Sequence, residues 1–141
     1  MATDPVSAVA AIFAKLQALP GITVYDGFVP TKVPTDTSGY IKPYVVLFAG
    51  VGGDLPAERD LTQLADAASM NLAFQTNCVA ASAGICRAVA HDVRQTLLNV
   101  PLAGGFIKPD DGSFDTATPI PDTTITPVRL FLPLPWRLTT T

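Results

Sequence analysis

The sequence predicts an α+β fold: a mainly antiparallel sheet of about four to five strands with two helices packed on one face, in the order α-β-β-β-α-β. Three observations carry this prediction. Residues 69–99 (SMNLAFQTNCVAASAGICRAVAHDVRQTLLN) switch from a two-residue to a 3.6-residue hydrophobic period, so a half-buried strand runs straight into an amphipathic helix. Residues 43–49 form an unbroken apolar run of strand length. A second amphipathic stretch opens the chain, which gives two helices that each have one face to bury.

At the start, Asp4 suits a helix N-cap and Pro5 suits the first helical position. Val6, Val9, Ile12, Phe13, Leu16 and Leu19 then share one arc, with Lys15 and several alanines facing away, and Pro20-Gly21 ends the helix. Ile22 to Asp26 is a β-rich run closed by Gly27, and Pro30 to Gly39 is a polar loop. Pro43-Tyr44-Val45-Val46-Leu47-Phe48-Ala49 is apolar throughout, as expected of a central strand buried on both faces. A loop spans residues 50–68, rich in Asp and Gly, where Leu61 and Leu64 suit a helical turn.

Met70, Leu72, Phe74, Thr76 and Cys78 then alternate with Asn71, Gln75 and Asn77. Ser82 caps the second helix, which places Ile85, Cys86, Val89, Ala90, Val93, Thr96 and Leu97 on one arc and Arg87, His91, Arg94 and Gln95 on the other. Pro101 to Gly105 breaks that helix, Phe106-Ile107 begins a short strand, and residues 108–127 read as a long polar loop of Asp, Thr and Pro. In the last strand Val128, Leu130, Leu132, Leu134, Trp136 and Leu138 alternate with Arg129, Phe131, Pro133, Pro135 and Arg137. Its two prolines cannot donate to a ladder, which predicts a sheet edge.

The 141 residues correspond to one domain, 1–141, large enough to bury roughly 70% of its unfolded surface without metal or disulfide. A net charge of −3 argues against a dominant basic surface for nucleic acid. Eleven of the twelve acids are Asp, and with thirteen prolines they point to turns and loops. The first apolar stretch, residues 6–14, is too short to span a bilayer and lacks a basic flank. Two cysteines give no disulfide framework, so the expectation is a soluble intracellular protein with reduced thiols.

Several residues invite a chemical reading. Cys86 with His91, the single histidine, resembles a thiol–imidazole pair, but five helical residues turn through about 140°. That puts Cys86 in the core arc and His91 toward solvent. Cys78 and Cys86 could approach across the turn, yet two thiols are short of the four ligands of structural zinc. Gly50-Val51-Gly52-Gly53 follows a strand as a phosphate loop would, but Leu55 stands where a dinucleotide fingerprint needs its third glycine, with Pro56 after it, and no Gly-Lys-Ser/Thr is present. Asp110-Asp111-Gly112-Ser113-Phe114-Asp115 lacks calcium-loop spacing. No catalytic, cofactor or metal site is therefore expected. Arg87, Arg94, Arg129 and Arg137 are candidate interface residues or solubilising charges.

Taken in order, these features resemble the tail terminator proteins of long-tailed, siphovirus-like bacteriophages. The matching parts are the amphipathic first helix, Val24-Tyr25-Asp26-Gly27, a proline-containing loop, Pro43-Tyr44-Val45-Val46-Leu47 and a variable acidic loop. They continue through the strand Leu72–Cys78 running into the helix from Ser82 to Leu98, and the closing Pro135-Trp136-Arg137-Leu138. The resemblance implies assembly and no enzymatic activity: a ring, usually hexameric, that caps the tail tube, stops its polymerisation and offers a surface to the head–tail connector. It implies a homo-oligomer whose partners are the tube protein and the connector protein, with DNA passing through without specific binding and no membrane. It places the protein at the head-proximal end of the virion tail, assembled in the host cytoplasm.

Within that reading residues 51–66 and 108–127, in the loops at 50–68 and 108–127, and the last strand are the expected contacts, through Asp54, Glu58, Arg59, Asp60, Arg129 and Arg137. The alternatives are another small head–tail completion or minor tail protein, a small thiol hydrolase built on Cys86 and His91, and a stand-alone ligand-binding module.

Overall fold

A computed structural model describes residues 4–50, 70–110 and 112–140. The acidic loop, with Asp54, Glu58, Arg59, Asp60, Leu61 and Leu64, lies outside the described residues, as do Asp111 and the side chain of Met70. The elements are α1 (Pro5–Gln17), β1 (Thr23–Asp26), β2 (Tyr44–Ala49), β3 (Met70–Ala80), α2 (Ala83–Leu97), β4 (Pro101–Leu102), β5 (Gly105–Pro109), β6 (Ile120–Asp122) and β7 (Arg129–Thr140), with a 3-10 turn at Ser113–Thr116. The α+β class holds. The strands form one mixed, seven-stranded sheet in the order β1-β2-β3-β7-β5-β4, with β6 also paired to β7.

The strand–helix unit at the centre follows its sequence pattern. Leu72, Phe74, Thr76 and Cys78 of β3 are buried on one face. Ser82 then caps α2, its Oγ accepting the Ile85 N–H at 3.3 Å. Cys86, Val89, Ala90, Val93 and Leu97 face inward, while Ile85, placed in the same arc by periodicity, is 46% exposed. It sits in the first turn, where the arc rotates away from the sheet. α1 starts as its cap predicts, with Asp4 Oδ1 accepting the Val6 N–H at 3.0 Å. The Asp4 carboxyl is held below its usual range by the Ser7 hydroxyl and the Val6 N–H. Its buried line is Ala8, Ile12 and Leu16, while Val6 is 74% exposed. Ala8 lies inward because α1 packs on both α2 and β1, where a small side chain permits close approach.

The two faces of the sheet differ. Both helices bury their apolar lines on one face, against Val45, Leu47, Leu72, Phe74, Ile107, Leu132, Leu134, Trp136 and Leu138. The other face carries a smaller cluster of Ile41, Tyr44, Val46 and Val79, edged by Tyr25, Val29, Val33 and Phe131. Val45, Val46 and Leu47 are at most 1% exposed, as expected of a strand covered on both sides.

Three expectations require correction. Among the described residues the sheet has seven strands, more than the four to five expected, and β1 pairs with β2 in parallel. Parallel pairing needs a long crossover. Residues 27–43 provide it, and their Val29, Val33 and Ile41 cover part of the second face. The supposed polar loop 108–127 contains the 3-10 turn and β6, and it returns Phe114 to the core against Trp136, edge to face at 4.7 Å. Finally, β7 is not an edge: it pairs along its length with β3 and on its other side with β5 and β6.

The prolines of β7 are tolerated for a local reason. The Pro135 carbonyl accepts from the Asp110 N–H at 3.1 Å, so this residue's hydrogen-bonding side faces away from β3. Pro133, two residues earlier, faces the same way. Both fall between the end of β6 pairing at Phe131 and the start of β5 pairing at Trp136, where no third strand asks for their N–H. The edge is thus a gap one short stretch long.

The β4–β5 turn is set by backbone sign. Ala103 and Gly104 both have positive φ, 53° and 88°, the arrangement of a two-residue type I′ hairpin.

Trp136 is the hub of the main core. It is fully buried, stacks near Phe74 at 6.3 Å, and its Nε1–H donates to Thr76 Oγ1 at 3.0 Å. Thr76→Val should strand that indole N–H and cost about 1–3 kcal/mol. The pair Thr76→Val with Trp136→Phe should cost less than the two single losses added together. Denaturant midpoints check this; additive losses would show that the hydrogen bond contributes nothing.

Candidate functional site

The helix-free face carries a groove. Its volume is about 480 Å³, and it is walled by Val29, Val46, Phe48, Val79, Ile125 and Phe131, with Thr31, Tyr44, Asn77, Asp122 and Arg129 as its polar members. β2, β3 and β7 form its floor, the β1–β2 crossover one bank and the segment from β6 to β7 the other. The residues reach this face by alternation. Tyr44, Val46 and Phe48 on β2, Asn77 and Val79 on β3, and Arg129 and Phe131 on β7 are opposite in phase to the helix-facing residues.

Arg129 is only 8% exposed. Its Nη1 donates to Tyr44 Oη at 3.0 Å and its Nε to the Pro127 carbonyl at 3.4 Å. Tyr44 is in turn packed edge-on against Tyr25 at 5.6 Å. Asp122 is the cross-strand partner of Arg129. The Thr124 hydroxyl, at 2.6 Å, and its N–H hold the Asp122 carboxyl below its usual range, with a smaller contribution from Arg129. The groove therefore contains one fixed anion beside one buried cation. Asn77 Oδ1 is different: it is buried and receives no hydrogen bond among the described residues. An unpaired buried acceptor is costly and asks for a donor.

Of the interface residues expected from sequence, Arg129 therefore belongs to this groove and not to an exposed face. Arg137 lies farther along β7, half-buried, with Nε 3.2 Å from Asp110 Oδ1 and Nη1 2.8 Å from Asn71 Oδ1. Asp54, Glu58, Arg59 and Asp60 fall outside the described residues. Sequence reading missed Tyr44, Asn77 and Asp122 as members of one site. No short-range pattern joins them, since Tyr44 and Arg129 are 85 positions apart.

The thiols are structural in their surroundings. Cys86 is fully buried and its Sγ donates to the Cys78 carbonyl at 3.2 Å, so the two cysteines do meet across the turn. Burial pushes the Cys86 thiol up to about 11 and the Cys78 thiol higher still. His91 is exposed on the opposite side of α2. Asp110 is engaged by Arg137, and Asp115 is exposed. Among the described residues no three His, Cys, Asp or Glu side chains come together, and no helix is long and apolar enough to cross a membrane.

Two outcomes follow for the thiols. Both should resist a water-soluble disulfide reagent at neutral pH and react together on unfolding; fast labelling of Cys86 in the native protein would contradict this. Both folded-state thiol pKa values lie above the unfolded one. The stability they contribute is complete below the ordinary thiol pKa and is lost as pH rises toward about 11 for Cys86. Urea midpoints should hold from neutrality to the ordinary thiol pKa and then fall, with a shallower fall in Cys86→Ala.

No protein-family model matches this chain, and a search of curated proteins returns no similar sequence, so its function is argued from its own residues and their arrangement.

Proposed function

We propose that this chain is a structural virion protein that assembles into a ring, of six copies by resemblance, on the head-proximal end of a phage tail tube. There it ends tube polymerisation and presents the surface on which the head–tail connector docks, and DNA passes through its lumen without specific binding. The reading draws on the order of elements and residues that resembles the tail terminators. The observation that carries it structurally is the unequal treatment of the two sheet faces. One is sealed by both helices. The other leaves Phe48 at 42% and Ile125 at 43% exposed around the groove, with Phe28 and Tyr40, at 70% and 61%, in the crossover beside it. Exposed apolar side chains around a groove are where protein contact is expected, and contacts of one face with a different face of the next copy close rings. The thiol reading is disfavoured because Cys86 and His91 lie on opposite sides of α2.

Negative-stain imaging of the purified protein and of isolated tails tests the proposal. Rings in the first, and specific labelling at the head-proximal end in the second, are expected. A monomer absent from tails would overturn it. Arg137→Ala separates assembly from folding. Its partly exposed pair with Asp110 should contribute at most about 1 kcal/mol to stability, so a large loss of ring formation at nearly unchanged stability would mark Arg137 as a contact.

A further inference from the structure

We draw no further inference here: the strongest candidate, the apolar groove between the β1–β2 crossover and the β6–β7 segment on the helix-free face, belongs to the site already described, and nothing in the structure shows what covers it.

Discussion

The pairing of β3 with β7 is the constraint on which the rest of this structure depends. It is the longest ladder in the sheet, running from Met70↔Thr140 to Ala80↔Leu130, and it fixes by alternation which face every central side chain serves. Even-numbered residues of both strands supply the helix-covered core. Odd-numbered ones supply the opposite face. A slip of one residue would put Trp136 on the helix-free face and Arg137 in the core. The Trp136–Thr76 hydrogen bond and the Phe74–Trp136 pair hold the register on the core side, where the desolvated indole N–H has a single partner. On the other side the buried Arg129 reaches across to Tyr44 on β2, and Arg137 reaches Asn71 on β3.

From this ladder the asymmetry of the molecule follows. Both helices go to one side because only two residues separate the end of β3 from the start of α2, which must fold back over the face its own apolar arc can cover. The other side is left to loops. Residues 27–43 cross it to make the parallel β1–β2 pair, and the segment between β6 and β7 lines its far bank. Loops bring apolar groups without a continuous lid, so a groove remains with a buried cation, its neighbouring anion and an unpaired amide oxygen at the bottom. A face closed by helices contributes stability; a face closed by loops around unsatisfied polar groups is where binding is expected.

How far this was legible in the sequence depends on the distance over which each signal acts. The β3–α2 unit could be read, Ile85 apart, because both of its periods and its Ser82 cap lie within residues 70–97. The same holds for the Asp4-Pro5 start of α1 and for the doubly buried β2. Strand direction could not be read: whether β1 joins β2 in parallel depends on the path of the crossover, which carries no periodic signal. The two short strands β4 and β6 bury too little to leave a pattern. The prolines of β7 were read correctly as missing donors and wrongly as an edge, because a gap between β6 and β5 satisfies the same chemistry. Phe114, the one aromatic residue in a polar stretch, was the available sign that residues 108–127 return to the core. The groove itself was not legible, since Tyr44, Asn77, Asp122 and Arg129 come from four elements and share only a face. The thiol pair was the opposite case: helical rotation alone separated Cys86 from His91.

The central claim is that the loop-covered face, not the helical one, is the working surface. Hydrogen exchange of the isolated chain against the same chain on assembled tails tests it most directly. The account predicts added protection in residues 27–43 and 120–128 with the exposed side of α2, around Arg87, His91 and Arg94, unchanged. Protection gained along α2 with both loops unaffected would contradict it.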